Sequence, residues 1–146
     1  MEGNILKVYC DGGSRGNPGP GASAFVVING EHIVAEHGVF LGHTTNNQAE
    51  YNAVLLAFSY LEQTVGPQKK FDKIDRIAFY LDSELVAHQL SGRFKIRDKK
   101  LQSLAVNIKK KEHDLNLPVT YYTIPRRENK RADFLVNQVL NKSRVR

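Results

Sequence analysis

Apolar positions in this chain follow two rhythms. Residues 5–11, ILKVYCD, and 22–28, ASAFVVI, are short runs rich in β-branched and aromatic residues, the pattern of strands. Asn29-Gly30 separates the second run from EHIVAEHGVFL (31–41), which predicts a tight turn and three antiparallel strands. From residue 45 the period changes. Val54, Ala57, Phe58 and Leu61 recur at helical spacing, and Thr45 with Gln48 forms a capping box at the helix start. A polar linker, VGPQKKFDK (65–73), leads to a fourth strand, RIAFYLD (76–82). A short helix in SELVAHQLSG, closed by Gly92, and a longer one in DKKLQSLAVNIKKKEHDL follow. PVTYYTI (118–124) predicts the fifth strand and ENKRADFLVNQVLNK a closing helix with Asn129 as its N-cap. The order β-β-β-α-β-α-α-β-α is that of an α/β fold: a mixed sheet with helices packed on it.

At 146 residues the chain suits one domain that buries about 70% of its unfolded surface. No apolar run approaches the roughly 18 residues of a membrane span, and MEGNILKV lacks the basic and apolar regions of a signal peptide. The expectation is a cytoplasmic protein with no membrane partner, and the opening Met and basic tail suit a complete small monomer. The single cysteine, Cys10, excludes an internal disulfide or a cysteine zinc site and reads as a small buried strand residue. Charge changes the picture further: 21 Lys and Arg against 15 Asp and Glu give +6, concentrated in GRFKIRDKK (92–100), KKK (109–111), RRENKR (126–131) and the tail KSRVR. Basic clusters in the second half of the chain point to a nucleic acid partner.

Four carboxylates stand where a folded chain would not place them without a reason. Asp11 and Asp82 each end an apolar strand, each two residues after a tyrosine (Tyr9, Tyr80), so every Asp shares a face with its Tyr. Strand carboxyl ends are where α/β sheets build their sites. Glu50 lies on the same helical stripe as Val54 and Ala57, and Asp133 on that of Val136 and Leu140. Singly, each could cap a turn or favour a helix N-terminus. Together on converging elements they repel one another unless a cation joins them. An all-oxygen donor set selects Mg²⁺ or Mn²⁺ over zinc. Such a site on a basic protein points to phosphodiester cleavage with two metal ions about 4 Å apart. The five histidines, His32, His37, His43, His88 and His113, are scattered and read as structural or surface residues. The loop after Asp11, GGSRGNPGPG, matches neither GxGxxG nor GxxxxGK[ST], and the strand that follows it argues against a dinucleotide or P-loop site.

YCDGGSRGNPGPGA, TTNNQAEYNAV, FYLDSELV and RRENKRADFLVN, in this order and spacing, resemble the four motifs of type 1 ribonuclease H over residues 5 to about 142. The resemblance implies a ribonuclease H-like fold, a five-stranded mixed sheet in order 3-2-1-4-5 with helices on both faces. It also implies an endonuclease that cuts the RNA strand of an RNA/DNA hybrid, leaving 5′-phosphate and 3′-hydroxyl ends, with two Mg²⁺ or Mn²⁺ ions when substrate is bound. By motif, Asp11 would bridge both metals, Glu50 and Asp82 would hold the ion on the leaving-group side, and Asp133 would help hold the ion that activates water. Gly12, Gly13 and Ser14 would let backbone approach the RNA, with Asn17 near the hybrid. Asn46 and Asn47 would meet the minor groove and the 2′-hydroxyls that separate RNA from DNA. Thr45 would touch a DNA-strand phosphate as well as cap its helix.

Three departures from the better-known bacterial pattern follow. The loop before the last carboxylate, TIPRRENKRAD, holds no histidine, so Arg126, or Arg127 beside it, is the substitute near the scissile phosphate. The basic protrusion is missing, which leaves Phe94, Lys95, Arg97, Lys99 and Lys100 to bind hybrid. Asp98 falls where relatives often place an Asn near a DNA phosphate; it either repels that phosphate or simply caps the next helix. Weaker reading of the DNA strand would admit double-stranded RNA as a second substrate, and an inactive hybrid-binding module is the reading from outside enzymology.

Overall fold

The computed structural model describes residues 4–144. Its elements are β1 (Ile5–Ser14), β2 (Gly19–Asn29), β3 (His32–Thr44), α1 (Asn46–Thr64), β4 (Arg76–Leu81), α2 (Glu84–Leu90), α3 (Lys99–Leu115), β5 (Val119–Thr123) and α4 (Lys130–Arg144). They form a five-stranded mixed sheet in order β3-β2-β1-β4-β5, as the motifs imply. β1 runs antiparallel to β2 and parallel to β4, and β5 continues the parallel half.

Alternation along the strands divides the apolar residues between two layers. Leu6, Val8, Cys10, Phe25, Val27, Phe79 and Leu81 face α1, α2 and α3, where Phe58, Leu61, Leu90 and Ile108 are fully buried against them. Ala24, Val26 and the half-buried Tyr9 face the opposite way, under Leu135, Val136 and Leu140 of α4. α4 crosses β3 so closely that a Cβ on Gly38 would lie 2.9 Å from Val139 Cγ2.

Several boundaries differ from the sequence expectation. The glycine-rich stretch does not break the first strand at Asp11. β1 continues to Ser14 and pairs with β2 as far as Gly21, so only residues 15–18 form the connection. The β2–β3 turn is Gly30-Glu31, not Asn29-Gly30, because Asn29 still pairs with His32; Gly30 alone has a left-handed φ, of 65°. The register shift between Val27 and Ile28 displaces the turn from its composition signal. The linker is not polar throughout, since Phe71 is buried and Val65 and Phe71 form a bridge. Thr45 caps α1 by accepting from Gln48 N at 3.2 Å, but Gln48 Oε1 accepts from Thr44 Oγ1 rather than closing the capping box. Asp98 caps α3, its Oδ1 accepting from Leu101 N at 3.0 Å.

Candidate active site

Register brings the first two carboxylates together. Tyr9 pairs with Tyr80 across β1 and β4, and their rings stack with centroids 4.9 Å apart. Asp11 and Asp82 each lie two residues further on, so they sit side by side where β4 ends and β1 runs on to Ser14 with β2 alone as its partner. Glu50 arrives from the opposite layer. Its helix can come this close only because Gly12 has no side chain: a Cβ there would fall 2.5 Å from Glu50 N and nearer still to the carbonyl of Ala49. One oxygen from each of Asp11, Glu50 and Asp82 then lies within 4.8 Å of the others.

The electrostatics of this triad are unfavourable for a bare protein. Asp11 and Glu50 are only 6% and 8% exposed. Burial, followed by the charges of Asp82 and Asp133, pushes the Asp11 carboxyl up to about 8, against the opposing Gly12 N–H and Arg126. Burial, followed by Asp11 and Asp82, pushes Glu50 up to about 9. Glu50 Oε2 is buried without a hydrogen-bond partner. An orphaned oxygen in an all-carboxylate cluster fits a hard divalent cation, whose charge would reverse these penalties.

Asp133 lines the same cavity, of about 420 Å³, but stands outside the triad. It lies in the first turn of α4 and accepts from Arg126 Nη2 at 3.1 Å. That carboxylate raises the pKa of an already cationic guanidinium. Arg126 opens a 3₁₀ turn, Arg126–Glu128, and lines the cavity with its side chain 78% exposed, whereas Arg127 does not line it. No histidine among the described residues lines it either. Three larger clefts, of about 460, 680 and 730 Å³, contain no comparable carboxylate cluster among the described residues, so chemistry and not size singles out this one.

Gly12, Gly13, Ser14 and Asn46 also line the cavity. Asn46 Oδ1 accepts from Ser14 N at 2.9 Å and from Ser14 Oγ at 3.2 Å, and Asn17 Oδ1 accepts from Asn46 N at 3.0 Å. The carbonyl ends of both amides are thereby committed inside the protein. Among the described residues their NH₂ ends have no acceptor and remain to meet one. Arg15 ties the hairpin tip to α4 through Asn141 Oδ1 at 2.7 Å. Thr45 and Asn47 flank Asn46 at the start of α1, outside the cavity lining. Phe94, Lys95 and Arg97 are not brought to the carboxylates; they lie in the α2–α3 connection, with Phe94 exposed and tilted over His88 at 4.6 Å.

Asn129 does not behave as the sequence predicts. It precedes α4, but its side chain turns inward, donating from Nδ2 to Cys10 O at 2.8 Å and to Asp82 Oδ2 at 3.2 Å. An Asn before a helix carries the same signal whether it caps or turns away, so composition could not distinguish the two. The only sequence hint was its place four residues before Asp133.

Residues 3–141 match the family model described as RNase H. The chain belongs to the RNase H family. It is 37% identical over 141 residues to ribonuclease HI of Halobacterium salinarum, covering 95% of this chain and 66% of that protein. It is also 34% identical over 138 residues to the bifunctional protein Rv2228c of Mycobacterium tuberculosis, of which it spans 35%. The chain is therefore shorter than the curated relatives it matches. Among solved structures of the family, it superposes on LC11-RNase H1, isolated from compost, with a TM-score of 0.88 at 32% identity, covering 96% of this chain and 98% of that one. LC11-RNase H1 has also been solved in complex with an RNA/DNA hybrid, and that structure matches with a TM-score of 0.86 at 31% identity over 94% of this chain and 98% of the other.

Proposed function

We propose that this protein is a metal-dependent ribonuclease H that hydrolyses the RNA strand of RNA/DNA hybrids, leaving 5′-phosphate and 3′-hydroxyl ends. The observation that carries this reading is the triad of Asp11, Glu50 and Asp82, gathered within 4.8 Å from β1, α1 and the end of β4 in a family member. Asp11, Glu50, Asp82 and Asp133 would hold two Mg²⁺ or Mn²⁺ ions with substrate bound. Bound divalent ions supply Lewis acidity and lower the pKa of water. Asp11, whose carboxyl feels the charges of both Asp82 and Asp133, would be the ligand common to both ions. Arg126, exposed at the cavity mouth, attracts the scissile phosphate but cannot relay a proton near neutral pH.

Recognition of RNA falls to the hairpin and the start of α1. The Asn17 and Asn46 NH₂ groups, with Asn47 beside them, suit acceptors such as 2′-hydroxyls and minor-groove base edges. Gly12, Gly13 and Ser14 line the floor, and Thr45 takes a phosphate of the DNA strand. Phe94, Lys95 and Arg97 contact the hybrid away from the reacting centre, where their charge gives a salt-dependent contribution. The hybrid complex of LC11-RNase H1 supports the choice of partner. Residues 1–146 act as one catalytic domain with its core at about 5–142, monomeric and cytoplasmic. Among the described residues no helix is long and apolar enough to cross a membrane.

The test is cleavage of end-labelled RNA, single-stranded, paired with DNA and paired with RNA, with Mg²⁺, Mn²⁺ or EDTA, beside an Asp11→Asn control. Metal-dependent cutting of the hybrid that Asp11→Asn abolishes, with hybrid binding retained, is the expected result. Cutting of both duplexes would show that the DNA strand is not read. Binding without cutting would overturn the enzymatic reading.

A further inference from the structure

The proposed reaction assigns no role to the buried amide of Asn129. This residue is 1% exposed, and Nδ2 donates both to the backbone carbonyl of Cys10 and to Asp82 Oδ2. Both partners are pure acceptors, so only the amide nitrogen can face them. Turned over, the amide would set its carbonyl against two oxygens. Through its own backbone carbonyl Asn129 also accepts Asp133 N at 3.1 Å. One residue thus reaches the strand position before Asp11, the side chain of Asp82 and the helical turn that carries Asp133.

Stability alone does not explain this arrangement. A capping role would satisfy an N–H group at the start of α4. The inward turn instead leaves Asn129 Oδ1 buried with no partner, a destabilising state for an acceptor. The gain lies at the carboxylate. Resting on the metal-site reading above, we infer that Asn129 is a positioning residue that fixes the rotation of the Asp82 carboxylate and its spacing from Asp11 for divalent-ion binding. Carboxylates that ligate metals depend on such outer hydrogen bonds, whose loss weakens affinity or activity by about 10- to 100-fold. Neither the Tyr9–Tyr80 stack nor the Ser83 cap, the other fixed points near Asp82, touches its oxygens, so the amide is the group placed to set their direction.

The experiment measures Mn²⁺ affinity by calorimetry without substrate, and kcat and KM on hybrid, for Asn129→Asp, Asn129→Ser and Asn129→Ala. Circular dichroism and urea unfolding report folding. Leu135→Ala, in the α4 cluster and apart from Asp82, serves as a variant that loses stability for another reason. The expected result is Mn²⁺ affinity at least about tenfold weaker and a lower kcat with an unchanged KM for hybrid in the Asn129 variants, while Leu135→Ala keeps wild-type affinity. Folded Asn129 variants that bind Mn²⁺ within twofold of wild type overturn the inference. So does failure of all three to fold, which would make the residue structural. A wild-type protein that takes up no Mn²⁺ removes the metal reading and this inference together, an outcome distinct from unaltered affinity in the variants.

Discussion

Replacing Gly12 by alanine asks whether the site depends on how closely α1 approaches β1. Gly12 is not among the glycines with positive φ, so its backbone accepts a side chain. On that ground alone the substitution would favour folding by about 0.4–1 kcal/mol through the unfolded chain. The opposing effect is steric. The new Cβ falls 2.5 Å from Glu50 N, where ordinary contact begins at 3.4 Å, so α1 must retreat by about 1 Å. The obstacle is backbone, and trimming Ala49 to glycine would not relieve it. Overpacking of this kind costs about 1–3 kcal/mol, which set against that gain leaves a net loss of up to roughly 2.6 kcal/mol. The displaced group is Glu50 itself, and a misplacement near 1 Å at a reacting centre costs about 10²-fold in rate. Urea unfolding and hybrid cleavage measure the two effects separately. Gly13→Ala is the internal comparison, since its Cβ meets only Asn46 Oδ1, at 3.8 Å, and its stability should not fall. A Gly12→Ala protein with the wild-type urea midpoint and cleavage within twofold of wild type would refute the close-approach argument.

Two further outcomes are expected. Asp11 and Glu50 have raised pKa values in the folded protein, about 8 and about 9 against 3.8 and 4.5, so the folded state binds more protons than the unfolded one between those limits. In EDTA the stability they contribute is present below about pH 4 and is lost as pH rises towards 8–9; the urea midpoint should fall over that range, less steeply in Asp11→Asn, and a flat wild-type profile would contradict the buried-carboxylate account. Arg126→Ala should change stability by less than about 1 kcal/mol, because the ion pair with Asp133 is largely exposed, and should lower kcat more than it raises KM; an effect confined to KM would reduce Arg126 to a phosphate contact.

The carboxylates were legible in the sequence because a charge at the end of an apolar run, or on an apolar helical stripe, contradicts its surroundings locally. Asp11, Glu50 and Asp82 each announced themselves within seven residues of chain. What Gly12 faces was not legible, since its clash partner is backbone of a helix more than thirty residues away. Asn129 was illegible for the same reason: its two acceptors lie 119 and 47 residues away, and nothing adjacent to it hints at either. The hairpin was misplaced by one residue because Asn-Gly composition reports turn preference, while the bulge at Val27/Ile28 decides where the strands are in step. Local contradiction can be read from one segment, whereas long-range partnership cannot.

The pairing of Tyr9 with Tyr80 has a consequence for how this chain tolerates changes in length. The backbones at Asp11 and Asp82, two residues past the Tyr9–Tyr80 pair, are spaced by roughly the 4.8 Å between neighbouring strands, and their common face is set by counting residues in pairs. One residue inserted within β1 or β4 ahead of the carboxylate would turn it to the opposite layer and dismantle the site at a stroke. Insertions into the 65–75 or 91–98 connections leave that count untouched and, where they spare the Val65–Phe71 bridge and the Asp98 cap, add loop-closure entropy of about 0.6 kcal/mol for each doubling of loop length. The ruler between these two carboxylates is thus the strand backbone itself, while Glu50 and Asp133 keep their places by the turns of α1 and α4.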